Sequence, residues 1–167
     1  MNETKMFNFA EHGRVYMFID VKPLDDTTMR SVRFKVDTGA DVSTISKQAL
    51  ADLGYGADWI KDNAVVFKDE DEDKPTTATG EKIDAGYIRL PLINILGYED
   101  KLWPFQIIMH ENQDFRNLLG RDLLTGFNYS FDNDADKFSI AKAKRFKARY
   151  GFLPEQEINE AALNAAD

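Results

Sequence analysis

Residues 32–41 read VRFKVDTGAD. Apolar and polar side chains alternate from Val32 to Val36, which is the period of a strand with one buried face. The small residues Thr38, Gly39 and Ala40 follow Asp37 and favour a tight turn, because glycine permits close backbone approach and threonine can hydrogen-bond locally. The stretch predicts a strand that delivers one carboxylate into a turn, although an ordinary strand-to-turn junction has the same pattern.

A single carboxylate in such a turn is a poor hydrolytic catalyst, whereas two facing carboxylates form an acid and base pair. At about 3 Å and an effective dielectric constant of about 20, two ionised carboxylates repel each other by about 5 kcal/mol, so the pair shares one proton. The ionised member can then act as a base toward water while the other holds the proton as an acid. Asp37 therefore needs a second carboxylate.

The composition predicts one domain with tails in a reducing compartment. The chain has 167 residues, of which 43% are hydrophobic, enough for one well-filled core. Cysteine is absent, which excludes disulfides, thiolate catalysis and cysteine-ligated metals. The first twenty residues lack the basic start and continuous apolar stretch of a signal peptide, and no segment is apolar enough to span a bilayer. We expect a soluble, cytoplasmic protein without a membrane partner.

The net charge of −8 argues against nucleic acid as the main partner, because a phosphate backbone would be repelled. A local exception is the basic stretch 142–150, which is either a solvated face or a docking surface for an acidic partner. Beyond it, residues 155–165 are rich in helix formers and predict a C-terminal helix.

Most of the chain is typical of short strands separated by turns, with one or two short helices. Ser46 is placed to cap a helix through residues 48–53 that Gly54 ends. Residues 69–73 are five consecutive acids and predict a solvated loop, and residues 76–81 predict the tip of a hairpin. Apolar patterns predict strands or buried segments at 14–22, 32–36, 42–45, 87–93, 105–109, 118–123, 127–131 and 138–140. Together these elements indicate an all-β barrel or sandwich.

A second informative stretch, residues 117–124, reads NLLGRDLL. It places Arg121 and Asp122 within an apolar run. An unpaired buried guanidinium would be costly, so the pattern predicts an ion pair for Arg121, with Asp41 as the candidate partner.

The two motifs in this order resemble the retropepsin-like aspartic proteases, the single-lobed relatives of pepsin. The resemblance covers roughly residues 14–141: Asp-Thr-Gly-Ala-Asp after an apolar strand, a flap-like hairpin at 76–81, and Leu-Leu-Gly-Arg-Asp-Leu-Leu before a terminal strand. It implies a closed β-barrel for residues 1–141, followed by a basic stretch and helical tail at 142–167. It also implies an aspartic endopeptidase that cleaves peptide or protein substrates without a metal or cofactor.

The resemblance also implies roles for individual residues. Asp37 would be the catalytic carboxylate, the Thr38 hydroxyl would bond across a dimer axis, and the Gly39 carbonyl would contact substrate. Ala40 leaves room for substrate, and Asp41 would bind substrate main chain. The flap residues that would close over the peptide are Thr77, Ala78, Thr79 and Gly80. Arg121 and Asp122 would support the site.

The number of Asp-Thr-Gly motifs in the chain predicts a homodimer. The chain contains one Asp-Thr-Gly, whereas a two-lobed aspartic protease carries two and is about twice as long. Asp84-Ala85-Gly86 lies just past the predicted hairpin tip and lacks the strand leading in, so we expect an ordinary turn there. The second carboxylate must then be Asp37 of an identical chain.

Competing interpretations are weaker. The acidic loop at 132–136 opens like a calcium loop, but Lys137 replaces the required glycine and Ala143 the distal glutamate. His12 and His110 are the only histidines and form no zinc pair, and no Gly-x-Ser-x-Gly is present. Two alternatives remain open: a non-catalytic dimeric β-barrel that binds peptides or partner proteins, and an active enzyme held latent by its tail.

Overall fold

The structure is a computed structural model that describes residues 3–68, 70 and 74–144. Most of the predicted acidic loop, the basic stretch beyond Lys144 and the predicted C-terminal helix at 155–165 lie outside the described residues. No helix in the described ranges is long and apolar enough to cross a membrane.

The described residues form a mostly β structure with a few short helices, which confirms the all-β prediction. The helices are α1 (Lys47–Asp52), α2 (Ala57–Asn63) and α3 (Arg121–Leu124), with a 3-10 turn at Glu11–Gly13. The strands are β1 (Lys5–Asn8), β2 (Tyr16–Val21), β3 (Arg30–Val36), β4 (Val65–Val66), β5 (Ala85–Leu90), β6 (Ile93–Ile95), β7 (Tyr98–Asp100), β8 (Trp103–Ile108), β9 (Leu118–Leu119), β10 (Phe127–Asp132) and β11 (Lys137–Lys142).

Two of the sheets join into one curled sheet. One has the order β7-β6-β2-β3-β9 and the other β4-β5-β8. Thr44 bridges them, because it pairs with Leu118 of β9 on one side and with Gln106 of β8 on the other. A third, three-stranded sheet has the order β1-β11-β10. The predicted strand at 42–45 is thus a short connecting segment that closes the gap between two sheets.

Strands β2 and β3 contribute fully buried side chains to the main hydrophobic core. Met17, Ile19 and Val21 of β2 are fully buried, and so is Phe34 of β3, which contacts the Phe105 ring at a centroid distance of 5.7 Å. Burying each such side chain contributes about 1.5–3 kcal/mol. The core thereby fixes the direction in which β3 reaches Asp37.

Two details of the prediction are wrong. The described chain has three α-helices where one or two were expected. Helix α2 was missed because its sequence has little apolar periodicity. Two contacts stabilise this helix: Trp59 packs on Tyr55, with ring centroids 4.5 Å apart, and Ile60 is buried. The apolar pattern at 87–93 is also not one strand, because β5 ends at Leu90 and β6 begins at Ile93, beyond Pro91.

Helix α1 begins and ends as its sequence predicts. The Ser46 hydroxyl accepts the N–H of Ala49 at 3.0 Å, and Gly54 follows the helix at φ +91°. We expect Ser46→Ala to lower the free energy of unfolding by about 1 kcal/mol, because a backbone donor of the first turn loses its acceptor. Urea denaturation measures the change. Ser130→Ala, at an exposed strand position, is the matched control, and equal losses in both variants would contradict the capping role.

Candidate active site

Asp37 lies directly after β3, in a turn held by its own backbone and side chain. The Asp37 N–H donates to the Leu119 carbonyl at 3.0 Å, and the Ala40 N–H donates to the Asp37 carbonyl at 3.2 Å. The Gly39 N–H donates to Asp37 Oδ1 at 3.0 Å. Asp37 is half-buried, whereas Thr38 and Gly39 are exposed. The predicted strand and turn are confirmed, and the turn presents one oriented carboxylate near the surface.

The second motif packs directly behind this turn. Strand β9 pairs with β3 in parallel, with Leu118 opposite Lys35 and Leu119 opposite Val36. At the start of α3, the Arg121 N–H donates to the Ala40 carbonyl at 2.8 Å, and the Asp122 N–H donates to the Asp41 carbonyl at 3.2 Å. The structure therefore brings the two predicted motifs together through backbone hydrogen bonds.

Gly120 allows the two motifs to approach each other closely. A Cβ atom at this position would lie 2.6 Å from the carbonyl carbon and oxygen of Val42 and 3.0 Å from the Ala40 oxygen. These are backbone atoms, which cannot move aside as the end of a flexible side chain could. Glycine is thus required for the contact and not for its φ angle, which is −92°.

We expect Gly120→Ala to destabilise the protein by about 3 kcal/mol, because the added methyl group overlaps backbone that is itself hydrogen-bonded. Thermal or urea unfolding measures the loss. Gly56→Ala is the matched control, since nothing lies within 4 Å of a Cβ atom there, and its cost should stay below about 1 kcal/mol. Equal stability of the two variants would rule out a tight contact at Gly120.

Asp122 is the buried charge of the second motif. Its side chain accepts hydrogen bonds from the Ser43 N–H at 3.1 Å, the Ser43 hydroxyl at 2.6 Å and the Leu123 N–H at 2.8 Å. The Ser43 hydroxyl in turn accepts the Gly120 N–H at 2.9 Å. Burial raises the pKa of Asp122 to about 6, against the opposing effect of these hydrogen bonds. The predicted supporting role of Asp122 has a structural basis in this network.

Sequence reasoning missed Ser43, which is fully buried. A polar residue between Val42 and the apolar run that continues at Ile45 was the available signal, because a buried hydroxyl needs a partner. Asn117 was also missed as a connector. Its side-chain oxygen accepts the Ser46 N–H at 2.7 Å, and its amide nitrogen donates to the Arg33 carbonyl at 3.2 Å.

The predicted ion pair between Asp41 and Arg121 is wrong. Both side chains are exposed, and no ion pair joins them in the described part of the chain. Helix α3 turns Arg121 toward solvent and buries Asp122, Leu123 and Leu124. A guanidinium in water needs no partner, so the premise of a buried charge applies to Asp122 and not to Arg121.

The predicted flap is an exposed hairpin turn. Thr76 pairs with Lys82, the Thr77 N–H donates to the Glu81 carbonyl at 2.7 Å, and Gly80 adopts φ +87°. The tip residues Thr77, Ala78, Thr79 and Gly80 are all exposed. Among the described residues, no hydrogen bond joins this tip to residues 37–41.

The remaining acidic motifs have ordinary structural roles. The Asp84 carboxylate lies 3.4 Å from the Lys74 ammonium. Asp84 directly precedes β5, whereas Asp37 directly follows β3, so the two Asp-x-Gly sequences lie at opposite ends of their strands. At 132–136, the Asp132 carboxylate accepts the N–H groups of Asp134 and Ala135 in a turn between β10 and β11. Within the described ranges, no three or more His, Asp and Glu residues are grouped to hold a metal ion.

No protein-family model, curated protein or solved structure matches this chain. The function must therefore be inferred from the site itself. Its geometry offers a carboxylate with a fixed orientation, an exposed neighbouring hydroxyl and a rigid support of backbone hydrogen bonds. Such a carboxylate can serve in acid and base chemistry on water once a second carboxylate faces it.

Proposed function

We propose that this chain is an aspartic endopeptidase of the retropepsin-like type, which hydrolyses peptide bonds as a homodimer. The observation that carries the proposal is the turn at Asp37, where a half-buried carboxylate is oriented by the Gly39 N–H and supported from behind by residues 119–122. A turn that served only to change chain direction would not need a second motif hydrogen-bonded to it at three backbone positions.

The homodimer follows from the number of carboxylates. One chain supplies one Asp37, so the second comes from an identical chain across a two-fold axis. Exposure of Thr38 and Gly39 supports this arrangement, because the turn is accessible to a partner. The Thr38 hydroxyl has no hydrogen-bond partner within the part of the chain that the structure describes, which leaves it available across the axis.

In this mechanism the two Asp37 carboxyl groups hold one proton between them. The ionised group removes a proton from water, and the water oxygen forms a bond to the peptide carbonyl carbon. The protonated group donates to the carbonyl oxygen as the tetrahedral species forms. Collapse of that species breaks the C–N bond, and a proton passes to the leaving amine. The dyad again shares one proton at the end, with no covalent enzyme intermediate.

Other predicted residues take supporting roles in the proposal. The Gly39 carbonyl and Asp41 bind substrate main chain, and Ala40 leaves room beside them. The hairpin at Thr77–Gly80 closes over the peptide and excludes water. We also propose that the curled sheet belongs to a closed β-barrel formed by residues 1–141, as in the single-lobed proteases. The absence of cysteine supports a reducing, cytoplasmic setting.

Measuring the specific activity at decreasing enzyme concentrations tests whether the homodimer is the active form. We expect the specific activity on a denatured protein substrate to fall as the enzyme is diluted below its dimer dissociation constant, because each monomer carries half of the dyad. Mixing wild type with a threefold excess of Asp37→Asn protein should reduce activity further, since mixed dimers hold one carboxylic acid only. Sedimentation velocity at the same concentrations reports the dimer fraction. Activity that stays proportional to enzyme concentration while the protein sediments as a monomer would contradict the proposal.

A non-catalytic peptide-binding dimer is the alternative from another class. It predicts that wild type and Asp37→Asn protein bind peptides equally and that neither cleaves them at concentrations where both are dimeric. Mass spectrometry of an incubated peptide library distinguishes the two functions.

A further inference from the structure

A groove of about 700 Å³ runs along the open edge of β3, between that strand and α1; we name it the β3 groove. Its lining follows β3 from Arg30 to Lys35 and does not include Asp37. The charged residues that line it are Arg14, Arg30, Arg33, Lys35, Arg116 and a single carboxylate, Asp52. In a protein with a net charge of −8, five cations around one carboxylate reverse the local sign of the charge.

The groove exposes an unfilled position in the sheet. On one side of β3, strand β9 pairs at Lys35 and Val36 alone. On the other side, β2 pairs with β3 from Arg30 to Lys35. The Val36 N–H donates to the Val15 carbonyl of the segment leading into β2. Because backbone groups alternate in direction along an antiparallel strand, those of Ser31 and Arg33 face away from β2 and into the groove.

These edge groups are available to another strand. Asn117 donates to the Arg33 carbonyl. The N–H groups of Ser31 and Arg33 and the Ser31 carbonyl have no partner among residues 3–68, 70 and 74–144. Three free backbone groups in this arrangement match the hydrogen bonding of a short added strand.

Most of the cations are also available. Arg30 is engaged, because its Nη1 donates to the Asp52 carbonyl at 3.1 Å. The other four basic side chains, those of Arg14, Arg33, Lys35 and Arg116, make no ion pair within the described residues. The Arg33 guanidinium lies over the Tyr16 ring, 4.6 Å from its centroid, in a cation–π contact that leaves its N–H groups free to bind a carboxylate.

The two sides of the groove differ in chemistry. Arg33 and Lys35 lie on one face of β3, and Val32 lies on the other, where the groove is also lined by Ala49 and Leu53 of the α1 region. Side chains of neighbouring strands meet on the same face. A strand placed in the groove would therefore alternate acidic side chains toward Arg33 and Lys35 with small apolar ones toward Val32 and Ala49.

We propose that the β3 groove binds an acidic, extended segment of a partner protein, which adds to the sheet as a strand beside Ser31 and Arg33. The segment carries aspartate or glutamate at alternate positions with small apolar residues between them. A peptide fits better than a nucleic acid, because the free groups form a strand edge and the net charge of the whole protein repels a long polyphosphate. The site does not depend on the chemistry of Asp37.

Fluorescence anisotropy with a labelled octapeptide of alternating glutamate and valine tests the proposal at low salt, using the full chain. We expect saturable binding that weakens as salt rises, and equal binding to the Asp37→Asn protein. Slower hydrogen exchange at the Ser31 and Arg33 amides on binding would place the peptide on the strand edge. A peptide of alternating lysine and valine, or one N-methylated at alternate residues, should bind about tenfold more weakly or not at all.

Charge reversal provides the matched comparison. Arg33→Glu combined with Arg116→Glu should weaken binding about tenfold or more, whereas Lys61→Glu with Lys101→Glu, at exposed positions outside the groove, should change it less than about twofold. Equal losses in the two double variants, equal binding of the N-methylated peptide, or equally tight binding of single-stranded DNA would overturn the proposal. Loss of proteolysis in Asp37→Asn with peptide binding intact would separate this site from the proposed function.

Discussion

Asp37→Asn should lower the rate of peptide hydrolysis by at least about a thousandfold while leaving the stability of the protein nearly unchanged. The amide cannot remove a proton from water, and general acid and base catalysis by positioned groups contributes about 10²–10⁴-fold in rate. The fold should tolerate the change, because the Gly39 N–H is the one partner of the carboxylate among the described residues, and an amide oxygen can accept the same hydrogen bond. Cleavage of denatured casein, followed by mass spectrometry, measures the loss.

Asp84→Asn is the matched control, because the Asp-Ala-Gly sequence there is similar to Asp37-Thr38-Gly39 but enters a strand. Its activity should stay within about twofold of wild type. Thermal unfolding of both variants checks that neither has lost its structure. Residual hydrolysis in Asp37→Asn at the wild-type rate would show that another group supplies the chemistry.

Asp122→Ala should lower the free energy of unfolding by about 4 kcal/mol. The substitution leaves the Ser43 N–H, the Ser43 hydroxyl and the Leu123 N–H without their acceptor, and each buried donor without an acceptor costs about 1–3 kcal/mol. The same network holds Gly120 against the turn, so activity should fall together with stability. Urea denaturation gives the stability change, and Asp132→Ala, in an exposed turn, should cost much less. A loss below about 1 kcal/mol would mean that water reaches these donors.

The pH dependence of stability tests the ionisation of Asp122. Its pKa is about 6 in the folded protein, against 3.8 as the reference for an unperturbed carboxyl group. The folded state therefore binds the proton more tightly. The resulting stabilisation, about 3 kcal/mol, is fully present below pH 3.8 and is lost as pH rises through 6.

Asp122→Asn removes this titration and serves as its control. The stability of wild type minus that of Asp122→Asn should decrease between pH 4 and pH 7, as measured by urea denaturation at each pH. A difference that grows with pH would show that the hydrogen bonds from Ser43 outweigh burial and favour the ionised form.

The sequence pattern predicted correctly those parts of the fold that are stabilised by interactions between residues close in sequence. The alternation of buried residues in β2 and β3 follows directly from Met17, Ile19 and Phe34, and Ser46 begins α1 through its own hydroxyl. The turn at Asp37 was also predictable, because its hydrogen bond to Gly39 spans two residues. In these cases the deciding interactions lie within a few positions of one another.

Features that depend on distant contacts were not predictable. Thr44 joins two sheets through partners in β8 and β9, and nothing in the residues beside it indicates them. Strand β1 is mostly exposed and has little apolar pattern of its own, yet it pairs along its length with β11. The wrong pairing of Arg121 with Asp41 has the same origin, since the orientation of α3 decides which charge is buried.

The parallel pairing of β3 with β9 has a consequence for synthesis. The aspartate leaves the ribosome early, but the residues that support its turn, 118–122, are among the last of the domain to be made. A nascent chain therefore carries Asp37 before the residues that support its turn exist, so the proposed proteolytic site cannot form on an unfinished polypeptide. The turn at Asp37 gains its supporting hydrogen bonds once residues 118–122 have been synthesised and have folded.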